Sequence, residues 1–466
     1  MSQHNTFNKV TDDIILALQR IVGDINVLTG QAREGYAKDE TPNFTGVLPE
    51  VVVRPENTVS VSHVLKLANE KRIPVVPRGA GTGLSAGAVA VQGGIVMSME
   101  RMNRILEIDA ANFTATVEPG VILSSLCQEA EKYGLYYPVY PGEMSATLGG
   151  NVATNAGGMR AVKYGVTRNF LLGLEVVLPT GEIIETGGKY IKCATAYDLS
   201  QLIAGSEGTL GVITKIILRL MTPPGRRDVV LVPFENLDDA ISAVPHILKE
   251  GILPIGIEFL EKDVVQLTEK FRGSETPLHN YEASLMIILE TGSDKESTDL
   301  SMKVGEICLA HNAIDVFVAG GERATDLMSF REKAWPAIVN SGNADIADVV
   351  VPRSKIAEFV KSAREISRRL GITTYIVGHA GDGNVHLAPM VPEGVDAQER
   401  ITQFFRQVFK LGVSMGGTIS GEHGIGSDKK QFIDIALSKE KLDLLKRIKK
   451  AFDPNGIMNP GKIFDL

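Results

Sequence analysis

The stretch PRGAGTGLSAG at 77–87 decides how the N-terminal half of the chain is interpreted, because it connects two predicted strands without a helix. The preceding run IPVVP at 73–77 is typical of a buried strand, and Gly87 to Gly94 lead into the strand GGIVMSM. The spacing is G-x-G-x-G, so the loop is not a Rossmann fingerprint, and no Gly-Lys-Ser/Thr closes it as a Walker A loop. Glycine backbones can approach an anion closely. The loop therefore indicates a phosphate-cradling turn, with a plain structural turn as the alternative.

Two further glycine-rich stretches follow, PGEMSATLGGNVATNAGG at 141–158 and GSEGTLGVIT at 205–214. Either one alone is compatible with tight packing around a twisted sheet. Three such loops in one half of the chain are harder to explain by packing. Together they predict a wrapping surface for a large, anionic, mostly apolar ligand, and a dinucleotide fits that description.

Composition excludes several classes of function. The 466 residues are 44% hydrophobic and 22% charged, which is globular composition. A net charge of -8 removes the main electrostatic attraction to nucleic acid. The three cysteines are far apart, which argues against a disulfide scaffold, a zinc ribbon or a cysteine-ligated iron–sulfur cluster. The polar start and the absence of a run of about 20 apolar residues predict a cytoplasmic protein without a transmembrane segment.

The second half of the chain has a different organisation. The cluster MTPPGRR at 221–227 is typical of a domain boundary. Beyond it, predicted strands at 228–233 and 254–260 alternate with predicted helices at 237–249 and 324–339. This alternation indicates an α/β or α+β domain with a sheet that is covered on one face.

Histidines and one glutamate concentrate in two segments of this half, GHAGDGNVH at 378–386 and GEHGIG at 421–426. The turn residues of the first segment predict a hairpin that brings His379 and His386 to one end of the sheet. Two imidazoles and the carboxylate of Glu422 form a ligand set for a divalent metal, and His423 is then free to act as a base. Asp382 is better explained as a residue that stabilises the turn. A purely structural role for the cluster is the alternative.

Six motifs in this order carry a resemblance to a known family: PRGAGTGLSAG, LGGNVATNAGG, GSEGTLGVIT, GHAGDGNVH, GEHGIG and FDPNGIMNPGKIF. From about residue 45 to Leu466 the chain resembles FAD-dependent D-2-hydroxyacid dehydrogenases of the vanillyl-alcohol-oxidase type, which include the glycolate oxidase flavoprotein subunit and the D-lactate and D-2-hydroxyglutarate dehydrogenases. The resemblance implies an α+β fold with a two-part FAD-binding domain, an inserted α+β substrate (cap) domain and a C-terminal segment that returns to the flavin. The expected boundaries are an N-terminal helical segment at 1–44, the FAD-binding domain at 45–224, the substrate domain at 225–415 and the C-terminal segment at 416–466.

The resemblance also implies which residues bind the cofactors. The first loop would bind the pyrophosphate of FAD through Arg78, Gly79, Ala80, Gly81, Thr82, Gly83, Leu84 and Ser85. The second loop would line the flavin through Pro141, Thr147, Gly149, Gly150, Thr154 and Gly157. The third loop would hold the adenosine end or the ring edge through Glu207, Gly208, Gly211 and Ile213. Asn459 in the tail would reach back to the flavin. Thr82 stands where some relatives carry a histidine that attaches FAD, so the flavin is expected to be non-covalent.

For the substrate side, the resemblance implies that His379, His386 and Glu422 bind a divalent metal ion (zinc, iron or manganese) and that His423 is the catalytic base. Arg331 matches the arginine that binds the substrate carboxylate, although Met328 replaces a usual tryptophan; a solvated helix residue is the alternative for Arg331. A lysine that some 2-hydroxyglutarate enzymes use for the distal carboxylate is replaced near Ile346. This favours D-lactate or glycolate over D-2-hydroxyglutarate. The expected reaction is removal of the hydroxyl proton by His423 and hydride transfer to the flavin, which gives a 2-oxo acid.

The electrons are expected to pass to a second protein, since the chain has neither an NAD fingerprint nor cluster-binding cysteines. An electron-transfer flavoprotein is favoured by resemblance, with an iron–sulfur subunit or a membrane quinone as alternatives. The basic stretch KRIKK at 446–450 is better explained as a solvated helix face than as a docking site. The oligomeric state stays open, with a homodimer as one option. A metal-dependent hydrolase and a non-catalytic flavin carrier are competing classes; the first leaves the glycine loops unexplained, and the second leaves His423 and the ligand set unexplained.

Overall fold

The computed structural model describes residues 7–391, 393–394 and 396–466. The first six residues of the predicted segment 1–44, and residues 392 and 395 of the predicted substrate domain, lie outside the described residues. The chain divides into two compact units. Unit 1 consists of the chain up to Ala156 together with Val166–Pro223 and Glu422–Leu466, and unit 2 consists of Gly157–Gly165 and Pro224–Gly421. The α+β class predicted from the sequence is confirmed.

The elements are numbered in chain order. The strands are β1 (Val27–Leu28), β2 (Val51–Val53), β3 (Val75–Arg78), β4 (Ile95–Ser98), β5 (Ile105–Asp109), β6 (Thr114–Val117), β7 (Leu171–Val177), β8 (Ile183–Gly187), β9 (Val212–Arg219), β10 (Arg226–Phe234), β11 (Gly256–Glu261), β12 (Ala283–Thr291), β13 (Phe317–Gly320), β14 (Ala347–Val350), β15 (Thr374–His379) and β16 (Asn384–Pro389). The helices are α1 (Asp12–Val22), α2 (Thr58–Lys71), α3 (Leu123–Glu131), α4 (Leu148–Thr154), α5 (Ala161–Tyr164), α6 (Thr167–Phe170), α7 (Leu199–Ile203), α8 (Leu237–Lys249), α9 (Lys262–Arg272), α10 (Asp294–Leu309), α11 (Gly321–Glu332), α12 (Ala334–Ser341), α13 (Ile356–Leu370), α14 (Ala397–Ser414), α15 (Ile433–Ala436) and α16 (Lys439–Phe452).

Unit 1 contains two sheets. The first has the order β1-β2-β4-β3, and β2, β4 and β3 are parallel, as expected for strands connected by a crossover helix such as α2. The second has the order β5-β6-β9-β7-β8 and is antiparallel. One apolar core joins α1, α2, the first sheet and β7, and it also includes Ile457 and Met458 from the C-terminal tail. The tail is therefore part of the core of unit 1.

Unit 2 is built around a seven-stranded antiparallel sheet with the order β13-β10-β12-β11-β15-β16-β14. Ile338 of α12 packs with Tyr375 and Ala388. Gly412 of α14 lies against Val349, whose side chain points to the face opposite to that of Tyr375 and Ala388. The expectation of a sheet covered on one face is therefore wrong. The reason is visible in strands such as β12, where the run Ala283–Leu289 is buried without alternation, as in sheets covered on both faces.

Two helix predictions had different outcomes. The helix predicted at 237–249 is confirmed as α8, and the Asn236 side chain accepts a hydrogen bond from the Asp239 N–H at its start. The single helix predicted at 324–339 is wrong, because α11 and α12 are separated at Lys333. Pro336 lacks the N–H that would continue one helix, but it is tolerated in the first turn of α12. Among the described residues, no helix combines the length and the apolar character needed to cross a membrane.

Candidate active site

Arg78 ends β3 in unit 1 and is a buried cation, with 7% of its surface exposed. Its Nη2 donates to the carbonyls of Lys38 at 3.0 Å and Gly35 at 3.4 Å. Its Nη1 is also buried but finds no hydrogen-bond partner among the described residues. Burial lowers the pKa of Arg78, and the nearby Asp39 opposes that effect. A buried donor of this kind is suited to an anionic ligand such as a phosphate.

A cavity of about 540 Å³ opens beside this guanidinium, with Tyr36, Arg78, Gly79, Ala80 and Thr147 among its lining residues. A Cβ atom at Gly79 would collide with Oγ1 of Thr147, so only glycine leaves this part of the first loop in place. Cavities of several hundred Å³ are the size of cofactor sites. The cavity and the Arg78 donor together fit the phosphate-bearing part of a dinucleotide.

The second loop forms the start of α4. The Thr147 hydroxyl accepts from the Gly150 N–H at 3.4 Å, and the Thr154 hydroxyl donates to the Gly150 carbonyl at 3.1 Å. Gly149 lies so close to Pro119 that a Cβ atom would meet it at 2.6 Å. Pro141 is partly exposed, and Gly157 is buried within the short 157–165 segment of unit 2.

The third loop is fixed by Glu207, which adopts a positive φ of 52°. Its carboxylate accepts from the N–H groups of Ile425 at 2.8 Å and Gly426 at 2.7 Å, and burial raises its pKa. The same loop needs glycine at Gly211, where a Cβ atom would meet Val176 and the Val177 carbonyl. Gly208 has a φ of 68°, and Ile213 is buried on β9.

The C-terminal part of unit 1 meets these loops. Nδ2 of Asn459 donates to the carbonyls of Gly87 at 3.0 Å and Glu207 at 2.7 Å. The Ser85 hydroxyl lies 3.1 Å from the His423 carbonyl and 3.0 Å from that of Gly424. The first loop, the third loop, residues 422–426 and the tail are therefore brought together within unit 1.

Sequence reasoning missed the part that the N-terminal segment plays here. The Ala86 N–H donates to Oγ1 of Thr41 at 2.5 Å, and the Ala88 N–H donates to Asp39 at 3.3 Å. The Thr41 hydroxyl in turn donates to Asp39 at 2.7 Å. Residues 35–41 thus hold both ends of the first loop, through Arg78 and through Ala86. An Asp-x-Thr pair, which forms local turn hydrogen bonds, was the available signal.

The histidine hairpin lies in unit 2, and the predicted reversal is confirmed: β15 pairs with β16, with His379 opposite Asn384. The Asp382 carboxylate accepts from the Asn384 N–H at 3.1 Å, which is the turn role expected for it. Glu258 on β11 lies opposite His379, and Asp348 on β14 lies opposite His386. Side chains alternate along strands, so five of these residues share one face of the sheet: Glu258, Asp348, His379, Asn384 and His386.

Each imidazole has a buried carboxylate on its Nδ1 side. Nδ1 of His379 lies 2.7 and 2.8 Å from the two oxygens of Glu258, and Nδ1 of His386 lies 3.7 Å from Asp348. The two Nε2 atoms are 3.2 Å apart. Carboxylates behind imidazoles fix the ring orientation and direct the Nε2 lone pairs toward a cation, as in many metal sites. Sequence reasoning missed both carboxylates.

Arg331, near the end of α11, forms an ion pair with Glu258 at 2.8 Å. With 9% of its surface exposed, it is not a solvated helix residue. Burial alone would raise the pKa of Glu258, but its contacts with His379 and Arg331 hold that pKa below its ordinary value. The Glu258 carboxylate therefore contacts both the imidazole of His379 and the guanidinium of Arg331.

Glu422 and His423 belong to unit 1 and follow Gly421 of unit 2 directly in the chain. The Gly421 N–H donates to Asp348 at 2.9 Å. Asp348, on the sheet that carries the two histidines, thus fixes Gly421, the residue directly before Glu422.

Models of two protein families match most of the chain. Residues 49–187 match the FAD binding domain, and residues 223–463 match the FAD linked oxidases, C-terminal domain. The chain is 39% identical to a D-lactate dehydrogenase from Anaerostipes hadrus over 99% of each protein. It is also 39% identical to the glycolate oxidase subunit GlcD of Bacillus subtilis, over 98% of this chain and 97% of that protein. The solved structure of p-cresol methylhydroxylase, a flavoprotein of the vanillyl-alcohol-oxidase type, has the same fold, with a TM-score of 0.81, 19% identity and 98% of each chain covered. The chain belongs to the FAD-linked oxidase family and is an FAD-dependent oxidoreductase.

Proposed function

We propose that this enzyme oxidises a small D-2-hydroxy acid, with D-lactate favoured, to the 2-oxo acid, assisted by a divalent metal ion. The observation that carries the proposal is the row Glu258–His379–His386–Asp348, in which two Nε2 atoms lie 3.2 Å apart in front of two buried carboxylates. The names of the D-lactate dehydrogenase and glycolate oxidase relatives support the substrate class.

Bound FAD supplies a hydride acceptor, and a bound divalent ion supplies Lewis acidity toward the substrate hydroxyl. Arg78 and the backbone of residues 79–85 would hold the pyrophosphate, and Asn459 ties the tail to the first and third loops. His379, His386 and Glu422 would hold the cation, which would be zinc, iron or manganese. The ligand types are compatible with all three metals.

His423 takes the proton from the substrate hydroxyl at an imidazole nitrogen, as a general base. Arg331 binds the substrate carboxylate and fixes which side of the α carbon is presented for hydride transfer. A guanidinium has five N–H donors, so the pairing with Glu258 leaves others for the substrate. The Nε of Arg331 is buried and finds no hydrogen-bond partner among the described residues.

The substrate is expected to be a monocarboxylate. Near Ile346 the family resemblance expects a lysine for a second carboxylate, and Ile346 itself is apolar and 6% exposed. Glycolate is the second candidate, because a relative of equal identity is named glycolate oxidase subunit GlcD. D-2-hydroxyglutarate is disfavoured because this lysine is replaced.

We further propose that a protein accepts the electrons from the reduced enzyme. An electron-transfer flavoprotein is favoured over an iron–sulfur subunit. Rapid reoxidation of the reduced enzyme by a purified electron-transfer flavoprotein, compared with NAD and with oxygen, tests this part separately.

An anaerobic screen of flavin absorbance tests the main proposal. D-lactate, L-lactate, glycolate and D-2-hydroxyglutarate are mixed with the FAD-loaded enzyme, with and without a chelator. We expect bleaching by D-lactate first, weaker bleaching by glycolate, and loss of both after chelation with recovery on adding the metal back. Bleaching that is unaffected by complete metal removal would exclude the metal role, and a flavin that none of the four reduces would exclude the substrate class.

A further inference from the structure

Glu258 is fully buried on β11, the middle strand of the seven-stranded sheet. A carboxylate at such a depth is strongly destabilising unless donors or cations compensate it. Glu258 is compensated by contacts on two sides: both of its oxygens face Nδ1 of His379, and Oε2 also pairs with Nη2 of Arg331 at 2.8 Å.

The carboxylate behind the other histidine has different partners. Asp348 accepts from neutral donors, namely Nδ2 of Asn384 at 2.8 Å, the Ser420 hydroxyl at 2.9 Å and the Gly421 N–H at 2.9 Å. Its oxygen is 3.7 Å from Nδ1 of His386, which is beyond hydrogen-bond distance. Glu258 is in direct contact with both an imidazole and a guanidinium.

We propose that Glu258 is a positioning residue that serves metal binding and substrate binding at once. On the His379 side it accepts the Nδ1 proton, which leaves the Nε2 lone pair for the cation. On the Arg331 side it holds one guanidinium nitrogen, which sets the direction of the remaining donors for the substrate carboxylate. This inference rests on the proposed function, since it assigns Glu258 a role toward the same metal and the same substrate.

The strand offers a matched control. Glu261 lies three residues further along β11, points to the other face, and pairs with Arg364 at 2.7 Å. A Glu261→Gln variant therefore also loses a glutamate–arginine pair from the same strand, but it leaves the row of His379 and His386 untouched. Glu258→Gln keeps the size of the side chain and removes its charge.

The test measures zinc and manganese affinity of metal-stripped, FAD-loaded protein by calorimetry, and then KM for D-lactate with metal in excess. Glu258→Gln is expected to weaken metal binding about 10- to 100-fold. It is also expected to raise KM roughly tenfold or more at saturating metal, because the orientation of Arg331 is lost. Glu261→Gln is expected to match the wild type in both measurements, with FAD content and far-UV circular dichroism unchanged in both variants.

The outcomes separate the inference from the proposed function. If the wild type binds neither metal, the proposed function loses its metal and the inference falls with it. If the wild type binds metal and Glu258→Gln binds it equally with an unchanged KM, the inference is overturned while the proposed function stands. Should Glu258→Gln fail to hold FAD, Glu258→Asp decides: it keeps the charge but is one methylene shorter, so weaker metal binding supports the inference and wild-type affinity with wild-type KM overturns it.

Discussion

His386 and Asp348 lie directly opposite each other on β16 and β14, with Nδ1 of His386 3.7 Å from the nearest oxygen of Asp348. The same carboxylate accepts the Gly421 N–H at 2.9 Å. Asp348 therefore acts on the proposed metal site in two ways: it provides negative charge behind one imidazole, and it fixes the residue that precedes Glu422.

Asp348→Asn should weaken zinc or manganese binding by about 10- to 100-fold, as removal of outer-shell partners does elsewhere. The amide NH₂ of the new side chain would also face donors, so the free energy of unfolding should fall by about 1–3 kcal/mol. Metal titration and urea unfolding measure the two effects. Ser420→Ala is the control, because it removes one hydrogen bond to Asp348 and leaves the charge in place. Equal metal affinity in the two variants would show that the charge of Asp348 is unimportant.

His423→Ala should lower turnover about 100-fold or more, the usual scale for loss of a general base, while FAD stays bound. The Ser85 hydroxyl reaches the backbone carbonyl of His423, so the segment should keep its position without the imidazole. Stopped-flow flavin reduction by D-lactate measures the rate, and the visible flavin spectrum reports cofactor retention. His311→Ala, in unit 2 at the end of α10, is a control for loss of a histidine. Near-normal reduction by His423→Ala would remove His423 from the role of base.

The elements with strong local signals were predictable from the sequence. Helix α8 has an apolar period and an Asn236 cap, and the hairpin at 374–389 has an Ala-Gly-Asp-Gly turn, so both were found, and the predicted bounds of α8 match the structure. Histidines close to glycines, as in GHAGDGNVH and GEHGIG, pointed to His379, His386 and His423 as candidate site residues. These signals lie within a few residues of each other, which is why a single sequence is sufficient to detect them.

Glu258 and Asp348 could not be found in this way. Each is a single charge in an apolar strand, IEFL and ADVV, and its partners are distant: Glu258 is 121 residues from His379. Their proximity depends on the strand order β11-β15-β16-β14, which local patterns do not specify. A buried charge within a strand was the only available hint, since such residues are rarely buried without a partner. The sequence also predicted a solvated helix face for KRIKK, but Lys449 in this stretch is buried. It is 6% exposed and donates to the carbonyls of Thr209 and Met458, so the stretch is not uniformly solvated.

Thr41→Val should weaken FAD binding, because it removes the acceptor for the Ala86 N–H and leaves that buried donor unsatisfied. The expected cost is about 1–3 kcal/mol, or roughly 5- to 150-fold in Kd if it falls entirely on the bound state. Fluorescence titration of apoprotein with FAD measures it. Thr45→Val, at an exposed position four residues further along the chain, is the control. If both variants bind FAD like the wild type, residues 35–41 do not organise the first loop.

Lys462 should make stability depend on pH in the alkaline range. It is 2% exposed and donates to the Val89 carbonyl at 2.7 Å. Burial lowers its pKa from 10.5 to about 8; Glu207 and Asp39 oppose this shift, and Lys430 adds to it. Below pH 8 both the folded and unfolded chains hold the proton, and the folded state bears the full cost of a buried charge.

Between about pH 8 and 10.5 the folded chain has released this proton while the unfolded chain still holds it, so the contribution of Lys462 to stability rises with pH. The slope is at most about 1.4 kcal/mol per pH unit. Urea unfolding at a fixed concentration of free FAD, at several pH values from 7 to 10, should therefore show the wild type gaining stability relative to Lys462→Met as the pH rises. Lys441→Met, which removes an exposed lysine of α16, should run parallel to the wild type. A constant difference between wild type and Lys462→Met across this range would mean that Lys462 keeps its proton in the folded protein, held by the carboxylates of Glu207 and Asp39 more strongly than burial disfavours it.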